Sequence, residues 1–147
     1  MKVASEQIRP LETSYRGYRF RSRLEARWAV YFDAMNWKWE YEPEGYDLGE
    51  AGCYLPDFFL PPLDSWAEVK PSDFTESERR KASALCISTK RDVILLVGVP
   101  GDKYYQTMFY HEPFGGDALI LGLRRLGHLG AVTAARSARF EFGEAHR

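Results

Sequence analysis

The residues best equipped for chemistry are Pro56-Asp57 and, eleven positions after Asp57, Glu68-Val69-Lys70. Between them stands the turn signal Pro61-Pro62-Leu63-Asp64. A hairpin centred between Pro62 and Leu63 sets Asp57 directly opposite Glu68. Opposed residues on one sheet face hold their Cβ atoms only ~5 Å apart. Two carboxylates that close repel unless they are protonated or bridged by a cation, and hard oxygen donors suit Mg²⁺, with Mn²⁺ able to substitute. Lys70 follows Glu68 by two, so it projects from the same strand face and adds an ammonium. Such a cluster can bind a divalent ion, lower the pKa of its water and offset the charge that develops on a phosphodiester under attack. An E-x-K triplet alone is also an ordinary solvent-facing strand pair. The joint pattern and the elements around it favour the cation-binding reading.

Those elements follow from periodicity. Residues 1 to 14 are polar, broken by Pro10, and read as an arm. From Arg23 to Met35, Leu24, Trp28, Tyr31, Phe32 and Met35 build one helical stripe, and Ser22 with Glu25 forms the S-x-x-E pattern of a capping box. Trp37, Trp39 and Tyr41 alternate with charged residues, as in a half-buried strand closed by Pro43 and Gly45. Cys53 to Leu60 and Ser65 to Lys70 read as the hairpin, and Thr75 with Glu78 caps a second helix running to about Ser88. The aliphatic run within Asp92 to Val99 suits a strand buried on both faces. The predicted order is αβββαβ, with a parallel pair across the second helix and therefore a mixed central sheet flanked by helices. Further strands are expected over Tyr104 to Tyr110 and Ala118 to Leu121, and a closing helix over Ala131 to Phe142.

With P-D on one strand, (D/E)-x-K on the next and this element order, the chain resembles the PD-(D/E)xK nuclease superfamily. The resemblance spans residues 20 to 99 within a single 147-residue domain, with 1 to 14 as the arm and 100 to 147 as a C-terminal extension. It implies an α/β, restriction-endonuclease-like fold and a Mg²⁺-dependent endonuclease, a phosphodiester hydrolase acting on DNA. Asp57 and Glu68 would be metal ligands, the Val69 carbonyl a further ligand, and Lys70 the group that orients or activates the attacking water. In the branches that include phage junction-resolving and transposon end-cleaving endonucleases, a first-helix glutamate completes the site. Glu25 is the matching position, and its capping role with Ser22 does not exclude this. A phage or mobile-element setting and a junction or an end as substrate are what that likeness implies. The alternatives are a non-catalytic DNA- or partner-binding module of the same fold and an RNA-acting nuclease.

Net charge is −1, which argues against a protein that simply coats nucleic acid. Charge is nevertheless focused: Arg16, Arg19, Arg21, Arg23 and Arg27 lie within twelve residues that hold one acid, Glu25. These five are candidate phosphate contacts, against the plainer reading of a solvated face paired with the acidic 40 to 50 segment. Arg79, Arg80, Lys81 and Lys90 read as surface charge, and Trp28, Trp37, Trp39 and Trp66 as core. Cys53 and Cys86 lie far apart without metal-ligand spacing and read as buried thiols. No apolar run is long enough to span a bilayer, and nothing reads as a leader, so an intracellular, cytoplasmic protein without a membrane partner is expected. Cutting two strands usually takes two active sites, which makes a homodimer the expected assembly.

Overall fold

The computed structural model describes residues 11–101, 105–110, 118–124 and 129–140. Its first element is a hairpin, β1 (Thr13–Tyr15) and β2 (Tyr18–Phe20). The two-residue turn places Arg16 at φ 53° and Gly17 at φ 84°, the left-handed pair that matches strand twist in a tight hairpin. Thr13, Tyr15 and Phe20 are buried, so the expected arm ends by residue 12 and the rest of it belongs to the body. Residues 1–10 lie outside the described residues.

Helix α1 (Arg23–Ala34) follows the predicted stripe and buries Trp28, Tyr31 and Phe32. Asn36, in the left-handed conformation at φ 67°, turns the chain after it. The expected strand over 37–41 shrinks to β3 (Glu40–Tyr41). Trp37 and Trp39 still pack on the core, and the Trp39 indole donates to Asp33 Oδ1 at 2.9 Å, so side-chain anchoring replaces ladder pairing there. A second hairpin, β4 (Tyr46–Asp47) with β5 (Cys53–Tyr54), comes next. The apolar run predicts a single strand over residues 53–60. Pro56, which has no N–H to donate, falls within that stretch, and the chain resumes as β6 (Phe58–Leu60). Cys53 is exposed on the small hairpin, contrary to the buried thiol expected, whereas Cys86 is buried as expected.

A turn at Pro61–Leu63, closed by Asp64 at φ 48°, leads into β7 (Ser65–Lys70). Helix α2 (Glu76–Thr89) begins with the complete Thr75–Glu78 capping box, and β8 (Asp92–Val97), β9 (Tyr105–Tyr110), β10 (Ala118–Arg124) and α3 (Leu129–Ser137) complete the chain. The main sheet runs β10-β9-β8-β7-β6-β3, with β7 and β8 parallel and the other neighbours antiparallel. It is a mixed sheet flanked by helices, and the order α1, β3, β6, β7, α2, β8 contains the predicted αβββαβ. Tyr104 and Phe142, at the limits of two predicted elements, lie outside the described residues.

Alternation along the central strands sorts side chains into two layers. Ala67, Val69 and Leu96 join α1 and α3 in one cluster, while Trp66, Val93, Leu95 and Val97 pack against α2 in the other. At roughly 25 cal/mol per Å² of apolar surface removed from water, both faces of β7 and β8 are major contributors to stability. No helix among the described residues is long and apolar enough to cross a membrane.

Candidate active site

The β6–β7 hairpin has the predicted register: Phe58 pairs with Ala67, Phe59 with Trp66 and Leu60 with Ser65. Continued by one residue it brings Asp57 against Glu68, just past the end of the ladder. There the two interlock through the backbone. The Asp57 amide donates to Glu68 Oε2 at 2.6 Å, and the Val69 amide donates to Asp57 Oδ2 at 2.8 Å. Each acid thus helps to hold the other's strand. Glu68 is buried, and Asp57 is half-buried as a residue with its carboxyl drawn in onto the Val69 amide. A residue's N–H and C=O point toward the same neighbour in an extended strand, so the Val69 carbonyl also opens on the Asp57 side, beyond the last paired residues of β6.

Burial raises the pKa of both carboxyls. For Asp57 the charges of Glu68 and Glu25 add to this, and the Val69 amide and Lys70 only partly offset it. For Glu68 the Tyr54 hydroxyl, the Asp57 amide and Lys70 pull downward, and the raised direction survives. Lys70 sits beyond Glu68 on the α2 side, with Nζ 2.9 Å from Glu78 Oε2. Burial disfavours its charge, but Glu78, Asp57 and Glu68 outweigh that and leave the ammonium harder to deprotonate than usual. Glu78 is held by the same cap that starts α2, accepting from the Thr75 amide at 2.8 Å, so the N-terminus of α2 fixes Lys70.

Glu25 approaches from the other layer. The Ser22 hydroxyl accepts from its amide at 3.1 Å, which is half of the predicted capping box. Its carboxylate does not complete the box on Ser22. Glu25 Oε1 instead accepts from the Tyr41 hydroxyl at 2.7 Å and from the Arg21 amide at 3.1 Å. The side chain is therefore aimed at β3 and is buried, near enough for its charge to raise both Asp57 and Glu68. Glu42, just beyond β3, ties the same corner together by donating its amide to the Asp57 carbonyl at 2.8 Å.

Among the described residues no three His, Cys, Asp or Glu side chains already converge as a set of metal ligands. The hydrogen bonds explain this, since Asp57 and Glu68 turn an oxygen each onto a backbone amide and Glu25 turns one onto Tyr41. The donor chemistry still fits a divalent cation. The site holds hard oxygens on two enclosed carboxyls whose proton affinity is raised first by burial and then by neighbouring acids, so a cation would favour their charged form.

The five arginines divide. Arg16, Arg19 and Arg21 are well exposed and pair with Asp33 at 3.1 Å, Glu12 at 3.4 Å and Glu42 at 2.9 Å, the last being the acidic segment expected to answer them. Arg23 is exposed at the start of α1. Arg27, expected as a phosphate contact, faces the end of α3 instead of standing exposed. Its Nη1 donates to the carbonyls of Ala135, Arg136 and Ala138 at 2.9–3.0 Å, and its guanidinium lies over the Phe140 ring. It closes the C-terminal end of α3, where unpaired carbonyls need donors.

Sequence reasoning missed Tyr41, whose hydroxyl donates to the Glu25 carboxylate. No local signal pointed to it, since Tyr41 lies 16 residues from Glu25 along the chain. A groove of about 560 Å³, lined by Arg16, Tyr18, Trp37, Lys38 and Trp39, reaches Pro61 at the turn end of the hairpin, away from the acids. Compared with models of known protein families and with curated proteins, the chain matches none.

Proposed function

We propose that the chain is a metal-dependent endodeoxyribonuclease with a restriction-endonuclease-like core, hydrolysing DNA phosphodiester bonds with Mg²⁺, or Mn²⁺ in its place. The observation that carries the reading is the interlock of Asp57 with Glu68 at the open end of the hairpin, with Lys70 on the next same-face position. The αβββαβ order within the mixed sheet supports the fold assignment. A bound divalent ion would supply Lewis acidity and a more acidic water.

Asp57 and Glu68 would hold that ion, with the Val69 carbonyl as a further donor and Glu25 as a third acid from α1. Lys70 acts here as an ammonium rather than as a base, because Glu78 and the two acids stabilise its protonated form. It would orient the attacking water and neutralise charge growing on the phosphate. The exposed guanidiniums of Arg16, Arg19, Arg21 and Arg23 would contact the DNA backbone.

Incubation with supercoiled plasmid, a four-way junction and single-stranded DNA, in Mg²⁺, Mn²⁺ or EDTA, tests this. Cutting is expected with either metal and not in EDTA. Asp57→Asn and Glu68→Gln should lower the rate by at least ~100-fold, and Lys70→Ala by ~10²–10⁴-fold. Metal-independent cutting, or wild-type rates in these variants, would sink the mechanism. Binding without cutting of any substrate would leave a DNA-binding module, and cutting confined to RNA an RNA-acting nuclease.

A further inference from the structure

The groove that reaches Pro61 lies at the opposite end of the β6–β7 hairpin from the acids, and the metal chemistry gives it no task. Aromatic rings form much of its wall. Trp37 and Trp39 are half-buried, and Tyr18, 45% exposed at the start of β2, stands with its ring centroid 4.8 Å from that of Trp39. The Trp39 indole N–H is already taken by Asp33 Oδ1 at 2.9 Å, so what Trp39 offers a ligand is its ring rather than its donor. Trp37 is backed in the core by Phe32, on which it stacks.

Charge borders the rings. Arg16 and Lys38 are both exposed, and Lys38 makes no ion pair among the described residues. Arg16 turns one nitrogen onto Asp33 at 3.1 Å, a surface pair weak enough for a phosphate to displace. With Asp33 and Glu40 also on the wall, the groove is close to neutral. Duplex backbone, with a phosphate on each strand at every base pair, calls for a stronger positive field than this. A single nucleotide fits better: its base is a flat face for the rings, and its one phosphate answers Lys38 and Arg16. The volume of about 560 Å³ is also that of a small-ligand site.

We propose that this groove is a subsite for an unpaired nucleotide of DNA, the base stacked among Tyr18, Trp37 and Trp39 and the phosphate held by Lys38 and Arg16. Bases inside a duplex hide their faces on one another, so a strand seated here is single-stranded at that point. Pro61 is four residues from Asp57, about 13 Å along an extended chain, so groove and acids fall within the span of one short DNA segment. That the nucleotide belongs to the strand being cut rests on the nuclease reading above, and it narrows the substrate to DNA with an unpaired segment beside the cut. The groove's affinity for an unpaired base does not depend on that reading.

The test is binding in EDTA, by fluorescence anisotropy, of a short labelled oligothymidylate and of a blunt duplex of the same length. Tyr18→Ala should bind the single strand about tenfold more weakly and the duplex as wild type does. Tyr18→Phe keeps the ring and should match wild type on both. Lys38→Ala, at an exposed position outside the packing, should reduce the single-strand slope of log affinity against log salt by about 0.7. Single-strand binding indifferent to Tyr18→Ala and Lys38→Ala, or an equal loss on the duplex, would overturn the subsite. So would a dimer that Tyr18→Ala converts to monomers, because the groove would then be a contact between copies. Plasmid cutting in Mg²⁺ by the same wild-type preparation separates the two conclusions. Cutting without any groove effect overturns the subsite and leaves the nuclease, whereas a groove effect without cutting of any substrate supports the subsite on a binding module.

Discussion

Asp57 and Glu68 are held at some cost to the protein. Both are enclosed acids with pKa values raised above those of the unfolded chain. The sign follows: the stability they contribute is complete below the unfolded carboxylate range, about pH 4, and is lost as pH rises through the raised folded values. The metal-free protein should therefore become less stable, relative to Glu68→Gln, with each step from pH 5 to pH 8. Thermal melts in EDTA should show Glu68→Gln overtaking wild type by several degrees at pH 8, about 2–4 °C for each kcal/mol of relieved burial cost. Millimolar Mg²⁺ should recover wild type at pH 8 and do little at pH 5. A gap between the two proteins that stays constant with pH would contradict the account. The variant that gains stability is also expected to lose activity, the trade common where function requires like charges together.

Among the elements, α1 does most to connect the site to the rest of the fold. Its first turn carries Glu25, its middle buries Trp28 with the indole donating to the Gly98 carbonyl at 2.9 Å, and Arg27 caps α3. Removing Arg27 leaves three carbonyls without their donor at the end of a helix. Bonds to a charged group are worth about 1.5–3 kcal/mol, so Arg27→Ala should lower the melting temperature by roughly 4–10 °C. Near-wild-type cutting is still expected at low temperature, where the variant is folded. A melting point within a degree of wild type would show that α3 finds its end without this residue.

The same elements show what periodicity could and could not deliver. Helix α1, the β6–β7 register, the α2 cap and the doubly buried β8 were legible because each rests on local rules: stripe, turn centre, capping box and apolar run. Opposing Asp57 to Glu68 needed only a turn position. The roles of Tyr41 and Arg27 were not legible, because each depends on a partner brought near by tertiary packing, with Arg27 reaching 108 residues along the chain to Ala135. Composition also misplaced Cys53. Cysteine is commonly buried, but on a two-residue strand outside the main sheet there is little to cover it.

At the scale of the whole molecule, net charge is near neutral while exposed guanidiniums flank α1, Arg23 at its Glu25 end and Arg16 on Asp33 in its last turn. Their partners, Glu12, Asp33 and Glu42, give surface pairs of the kind worth at most about 1 kcal/mol, so phosphates can compete for them. DNA affinity in EDTA should therefore fall with salt. Arg21→Ala or Arg23→Ala should each reduce the slope of log affinity against log salt by about one, and Arg27→Ala should not change it. Equal slopes for wild type and both exposed-arginine variants would remove the arginine surface from the proposed function.

The hairpin that joins Asp57 to Glu68 bears on the order of assembly as well. Its two acids are eleven residues apart, whereas the Arg27 contact with α3 closes a loop of 108. Loop-closure entropy grows with length, so native contacts of short range tend to form ahead of distant ones. The acids are thus expected to meet while the helix that brings Glu25, and the terminal helix behind it, are still docking. Pulse-labelled hydrogen exchange during refolding should protect the Val69 amide before the amides of α3, and the reverse sequence would rule this out. On that order, the chain brings its two central acids together first and encloses them afterwards.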